Sequence, residues 1–209
     1  MRHSRVKSVI ASLILLVSAA PVASDYGPMT LFQLLMANDV AVRGDVTNLE
    51  DARYEIELAY NFRQSEVPKS LGVIRFDSYP PETRTGDFDV GQFIVLFAVA
   101  EGEGLVRPLG RAGEGEIRRD ADYVYVQALS RPPTTLTRTR SEDGTYAAYR
   151  IDARLFDQAV EGFYGCYRPT GPGRIERICS SDAQESYRGG SWLAGHLSKI
   201  AERMIGGED

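Results

Sequence analysis

The sequence predicts an α+β fold: a small antiparallel β-barrel followed by a β-hairpin and helices tied by one disulfide. Three observations carry this. Apolar residues recur with period two, in short runs broken by turn residues, from Val40 to Leu129. The period shifts to the helical one after Asp152. The chain has two cysteines, Cys166 and Cys179, both in this later part.

Taken in order, the first element is a leader. Arg2, Arg5 and Lys7 precede an apolar run, Val9 to Val17, and then the small, breaker-rich stretch Ser18 to Ser24. A positive start, a short greasy core and small residues at the cut describe a secretory signal peptide over residues 1–24. A membrane span needs about 20 apolar residues, more than this run holds. No stable membrane anchor is expected after cleavage before Asp25. No cysteine follows the leader to take a lipid.

Thr30 can cap a short helix through Ala37, with Leu31, Leu34 and Leu35 on one face. Val40, Val42 and Val46 mark a strand in which Gly44 predicts a bend or bulge. Tyr54, Ile56, Leu58, Tyr60 and Phe62 alternate with Glu55, Glu57, Ala59 and Asn61, a strand with one wet face. Leu71 to Tyr79 predicts the third strand. The continuous apolar run Val90 to Val99 predicts a central strand buried on both faces. Leu105 to Leu109 and Tyr123 to Leu129 follow as strands, with Gly110 to Gly115 a flexible loop between them. These elements place a barrel-like domain at 25–130 and a hairpin plus helical region at 131–209.

In that second region Thr135 to Arg140 and Thr145 to Ile151 predict a hairpin across Glu142-Asp143-Gly144. Asp152 caps a helix from Ala153 to Phe163, with Leu155, Phe156, Ala159, Val160 and Phe163 inward. In an oxidising compartment Cys166 and Cys179 pair and close the loop 167–178, worth about 3 kcal/mol in the chain-entropy model. Ser181 to Gln184 has capping-box spacing for a short helix. Ser191 caps the last helix, with Trp192, Leu193, Leu197, Ile200, Ala201 and Met204 facing the core and Gly206-Gly207 ending it.

The stretch from Asp39 to Leu129 resembles the oligonucleotide/oligosaccharide-binding (OB) barrel of the tissue-inhibitor-of-metalloproteinases and netrin-module type. The matching features are Val40 to Val46, the alternating strand after Arg53, and Phe88 to Phe97. The resemblance implies a fold. The inhibitors' N-terminal cysteine has no counterpart here, because no cysteine precedes Cys166.

Charge and composition narrow the function. The whole chain carries −5, and loss of the three basic leader residues leaves −8. An acidic body argues against nucleic acid and anionic membranes as partners. Only three lysines occur, Lys7, Lys69 and Lys199, a bias of GC-rich bacterial coding that makes the periplasm the expected destination of an exported chain. After the leader, His196 is the single histidine, so a histidine-rich metal site is impossible and Ser-His catalysis has one candidate base. It reads as a surface or half-buried structural group.

Asp87-Phe88-Asp89-Val90-Gly91 starts like a calcium loop but lacks the later ligands. Gly110 to Gly115 lacks the Gly-Lys-Ser/Thr ending of a phosphate cradle. The acid pairs Glu55/Glu57 and Asp120/Asp122 read as wet surface. No catalytic residue, metal ligand or cofactor is expected. Aromatic rings beside guanidinium groups can bind sugars or peptides. Arg53, Tyr54, Tyr60, Arg63, Tyr123 and Tyr125 are therefore the candidate binding residues, with the bridged loop around Phe163 to Arg168 a second surface. The expected function is a non-catalytic periplasmic binding or accessory module for an unknown protein or cell-envelope component. The alternatives are a carboxylate-dependent hydrolase and a purely structural envelope protein.

Overall fold

The computed structural model describes residues 27–75, 89–111, 113–136, 138–140 and 147–207. The expected leader, Phe76 to Tyr79 of the third strand and the Glu142-Asp143-Gly144 turn lie outside the described residues.

Helix α1, Leu31–Ala37, begins with the capping box expected at Thr30: its hydroxyl accepts from Gln33 N–H while the Gln33 side chain reaches back to the Thr30 backbone. Strands β1 (Val40–Leu49), β2 (Arg53–Asn61), β3 (Ser70–Ile74), β4 (Phe93–Gly102) and β5 (Leu105–Pro108) then close into a barrel. The order is β1-β2-β3-β5-β4 and back to β1. Every pairing is antiparallel except β3 with β5, which is parallel through Gly72 opposite Leu105 and Val73 opposite Val106. The barrel is OB-like in strand number and closure.

Gly44 sits at the bend that the sequence predicts, where the β1–β2 register shifts. A Cβ there would lie 2.1 Å from the Glu57 carbonyl oxygen, so only glycine lets the two backbones approach. The apolar run of β4 is buried on both faces, also as expected. Ile94, Leu96 and Ala98 fill the barrel with Val42, Tyr54, Ile56, Leu71 and Val73. Val95 and Phe97 point the other way, into a second core shared with the helices. The start of the run differs. Val90 and Gly91 form a turn with Val90 63% exposed, and the strand begins at Phe93. Gly91 takes a positive φ of 83°, and its N–H donates to Val46 O at 2.7 Å.

Two elements escape the periodicity. Strand β6, Glu116–Arg118, pairs with β4 outside the barrel closure. It is led in by a packed turn: Gly115 O accepts from Phe97 N–H at 2.7 Å, and Glu114 is only 2% exposed. The loop expected to be flexible is thus locked against β4 at its C-terminal half. Strand β7, Tyr123–Val126, does not join the barrel. It pairs with β9 (Ala147–Asp152), which also pairs with β8 (Arg138–Arg140), forming a separate antiparallel sheet.

Helix α2, Ala153–Cys166, starts at Asp152, whose carboxylate accepts from Leu155 N–H at 2.8 Å. The expected loop 167–178 is instead a small hairpin, β10 (Tyr167–Gly171) with β11 (Arg174–Arg177), stapled by the Cys166–Cys179 disulfide. Pro169, Gly171, Pro172 and Gly173 hid these strands from a reading of propensity. Helix α3, Ser181–Gly190, is capped one residue earlier than expected, by Ser180. Helix α4, Trp192–Gly206, is capped by Ser191 and ends on left-handed Gly207, as expected. Trp192 itself is 36% exposed and does not face the core.

The outer core is aromatic where the barrel is aliphatic. The Phe163 ring lies 5.8 Å from Phe32, 5.7 Å from Tyr164 and 5.4 Å from Tyr167, and Tyr187 continues the series at 6.2 Å from Tyr167. The edge-on pairs, Phe163 with Phe32, Phe163 with Tyr164 and Tyr187 with Tyr167, add about 1 kcal/mol each beyond burial.

Candidate functional site

The six candidate binding residues do not form one face. Arg53 stands on the barrel rim in an ion pair with Glu50 at 2.6 Å. Tyr54 is fully buried inside the barrel, and its hydroxyl donates to Glu116 at 2.6 Å. Tyr60 packs beneath the Arg43 guanidinium, 5.0 Å from its centroid. A hydrogen bond with Glu161, then burial, raises its phenol above the ordinary value. Tyr123 lies under Arg150 at 4.4 Å. Tyr125 donates to Asp120 at 2.7 Å, and burial followed by that bond raises its phenol. Burial alone would raise Asp120, but bonds from Tyr125 and from the Tyr123 and Asp122 N–H groups overcome it and lower the acid. Only Arg63 borders a large apolar cleft.

Two clefts stand out. The first, about 680 Å³, opens between β1, the turn before β4 and the end of β6, beside Arg43, Arg118 and Arg119. Its arginines are already engaged. Arg43 and Arg119 both pair with Asp157 of α2, Arg119 at 2.7 Å, and their planes cover Tyr60 and Phe93. One carboxylate therefore clamps two barrel cations and fixes α2 on the sheet. Arg43 Nε is buried with no partner among the described residues.

The second cleft, about 790 Å³, lies between α1, α4 and the turn of the stapled hairpin. Met29, Phe32 and Met36 come from the α1 side, and Ile200 and Met204 from α4. Beyond Met1 the chain contains three methionines, and all three are here. Met29 precedes the Thr30 cap and Met36 lies near the end of α1, and both line the cleft. Ile200 and Met204 are an i, i+4 pair on α4. Pro169, Gly171, Pro172 and Gly173 make the third wall, so the barrel residue Arg63 and the bridged loop meet at this cleft.

Arg63 is held in place by the helix it serves. Its Nη1 donates to Asn38 O and to Asn38 Oδ1, and the guanidinium covers the Tyr164 ring at 5.5 Å. Asn38 in turn donates to Leu34 O at 2.6 Å and to Tyr164 OH at 2.6 Å, closing the C-terminal end of α1. Burial raises the Tyr164 phenol far above its ordinary value, so it stays neutral. Among the described residues no carboxylate pairs with Arg63. Asp39 borders the same cleft, with Oδ2 accepting from Ala100 N–H at 3.1 Å.

Among the described residues no group of three His, Cys, Asp or Glu side chains converges to hold a metal. Among the described residues no helix is long and apolar enough to cross a membrane. His196 is half-buried on α4, and burial, then Arg203 and Lys199, lower its imidazole below the ordinary range. Among the described residues the buried acids are Glu114, which the sequence placed in a flexible loop, and Glu116, 2% and 7% exposed, and neither lines the two clefts. The missed signal for the second cleft was the methionine distribution. Comparison of the chain with protein-family models, with curated proteins and with solved structures finds no match.

Proposed function

We propose that this chain is an exported binding or accessory module, working in the periplasm or outside the cell and without catalysis of its own. Its recognition surface is the cleft between α1, α4 and the stapled hairpin, and its target is a protein or component of the cell envelope. The observation that carries this reading is the convergence of every methionine after Met1 on one cleft of ligand size. Methionine is flexible and polarizable, and it adapts an apolar surface to what it binds. Pockets of roughly 300–1,000 Å³ with a few polar groups among apolar ones are the usual form of a binding site.

Export is supported by the leader pattern of residues 1–24 and by the Cys166–Cys179 bridge. The narrower likeness to the netrin module rests on the sequence stretches named above and supplies no inhibitor role. The hydrolase alternative would need two acids at a cleft with one in an apolar setting. Asp89 and Asp120 line the first cleft among three arginines, with Asp120 lowered rather than raised, and the buried pair Glu114 and Glu116 borders neither cleft.

The test is capture from an envelope extract with the native chain and with a Met36→Glu/Met204→Glu variant. The native chain retains a component that the folded variant loses. Equal retention by both would move recognition elsewhere on the molecule.

A further inference from the structure

We infer that the cleft holds a monomeric amphiphile, a single unbranched acyl chain with an anionic head, the head at Arg63 and the tail along Met29, Phe32, Met36 and Met204. The inference rests on reading the cleft as the recognition surface and names what fills it.

Three features select this occupant. The first is the hairpin wall. A peptide that binds in extended form needs backbone donors and acceptors along a strand edge. Along this wall Pro169 of β10 and Pro172 of its turn have no N–H, which leaves Gly171 and Gly173 as donors and no continuous row of them for a strand to pair with. A hydrocarbon chain asks for no such bonds. The second is extent. A helix lying across the cleft would need an apolar apron, since a stable protein interface covers roughly 800 Å² per partner. The exposed large apolar side chains among the described residues are Val90, Ile178, Trp192 and Ile205, and only Ile205 adjoins a lining residue in sequence. Apolar contact is therefore concentrated inside the cleft. The third is charge. Arg63 contributes a cation with no carboxylate partner among the described residues, and its Nη1 bonds and its place over Tyr164 fix its position. A guanidinium held in this way meets a carboxylate or phosphate head with little further ordering. Asp39 opposes an anionic head from the same rim, which makes its removal informative.

The experiment is isothermal titration of the purified full chain with three probes that share a twelve-carbon tail, each below its micelle concentration. They are dodecanoate, dodecyl maltoside and dodecyltrimethylammonium. Dodecanoate binds saturably at one site and is favoured over the cationic probe by roughly tenfold or more, the ratio that one hydrogen bond to a charged group supplies. Arg63→Gln removes that preference and leaves the maltoside affinity in place, and Arg63→Lys restores part of it. Asp39→Asn tightens dodecanoate. Met36→Glu/Met204→Glu abolishes binding of all three. If Arg63→Gln fails to fold, because Arg63 also closes α1, the Lys and Asp39→Asn variants carry the head-group test. Absence of saturable dodecanoate binding overturns the inference, as does binding only to phosphatidylglycerol vesicles with none to the monomer. Should the native chain ignore dodecanoate while the methionine variant still loses its envelope component, the acyl occupant fails and the cleft stands. Should that variant change neither, both fail.

Discussion

The barrel interior and the outer core share strands β1 and β4, yet they are built on different principles. The interior is aliphatic and closed on itself, with a polar contact where the Tyr54 hydroxyl meets Glu116. The outer core is aromatic, joined by a ring series through Phe163, by the two-cation clamp on Asp157 and by a disulfide. A sheet that closes leaves no edge to protect and takes its stability from pleated aliphatic packing. Helices laid over such a barrel have only side chains with which to hold on. Their attachment therefore depends on large rings, charge pairs and a covalent staple, and it responds to redox state and pH. The cleft belongs to this second region, and the stapled hairpin forms one of its walls.

Phe163 is fully buried and contacts three other rings. Phe163→Ala is expected to cost about 3–5 kcal/mol. Trp192, the single tryptophan, sits at the start of α4 and reports the outer region, while far-UV circular dichroism reports the strands as well. In urea the Trp192 transition of the variant falls below the dichroism transition. Coincident transitions would mean that the two cores melt as one unit, and the division drawn here would lose its energetic content.

Next in size is the staple. Cys166→Ser with Cys179→Ser loosens the hairpin wall of the cleft and removes about 3 kcal/mol. The loss appears in the Trp192 signal and in the helical part of the dichroism, and the remaining strand signal melts later at the native midpoint. Reduction of the native chain reproduces the effect. A drop shared equally by both signals would place the hairpin in the same cooperative unit as the barrel.

The barrel offers the converse experiment. Tyr54→Phe removes the donor that Glu116 uses in a buried setting, which costs about 1–3 kcal/mol. Here the dichroism midpoint moves and dodecanoate binding does not. Loss of binding in this variant would show that the interior communicates with the cleft.

The same contrast governs how much the sequence disclosed. Period-two alternation from Tyr54 to Phe62 and the apolar run Val90 to Val99 required strands buried on one face and on two, the second starting at Phe93 rather than Val90, and Gly44 marked the bend in β1. Capping residues Thr30, Asp152 and Ser191 placed three helix starts. What stayed hidden has local causes. Glu116 to Arg118 are charged at two positions of three, so β6 shows no apolar run; it forms because β4 has a free side there. The stapled hairpin is written in Pro and Gly, which weigh against strand. Tyr123 to Val126 read correctly as a strand, but periodicity does not name a partner, and β9 lies more than twenty residues on. The site suffered most. Rings and guanidinium groups were grouped along the sequence, whereas folding sends Tyr54 into the barrel, Arg53 to the rim and Tyr60 under Arg43. The cleft draws on residues 29 to 36, 63, 169 to 173 and 200 to 204, a set that only tertiary packing assembles.

The smallest effect is a dependence on pH confined to the outer region, with opposite signs at its two ends. Burial raises the phenols of Tyr164, Tyr167 and Tyr187 above the ordinary value of 10. A raised folded value means that the neutral phenol is favoured by folding. That contribution is complete below pH 10 and is lost as pH rises toward the folded values. His196 runs the other way. Burial, then Arg203 and Lys199, depress its imidazole below 6.5, so folding favours the neutral ring. Its contribution is complete above pH 6.5 and is lost as pH falls through the folded value. His196→Gln should then flatten the acid limb of the Trp192 melting temperature between pH 7 and 5 and leave the alkaline limb unchanged. Tyr187→Phe, whose hydroxyl donates to Ala159 O at 2.9 Å, lowers stability at neutral pH but softens the alkaline limb. If both limbs moved with either variant, the buried phenols and the imidazole would not be titrating as separate groups. The assignment of pH sensitivity to the attachment of the helices would then be wrong.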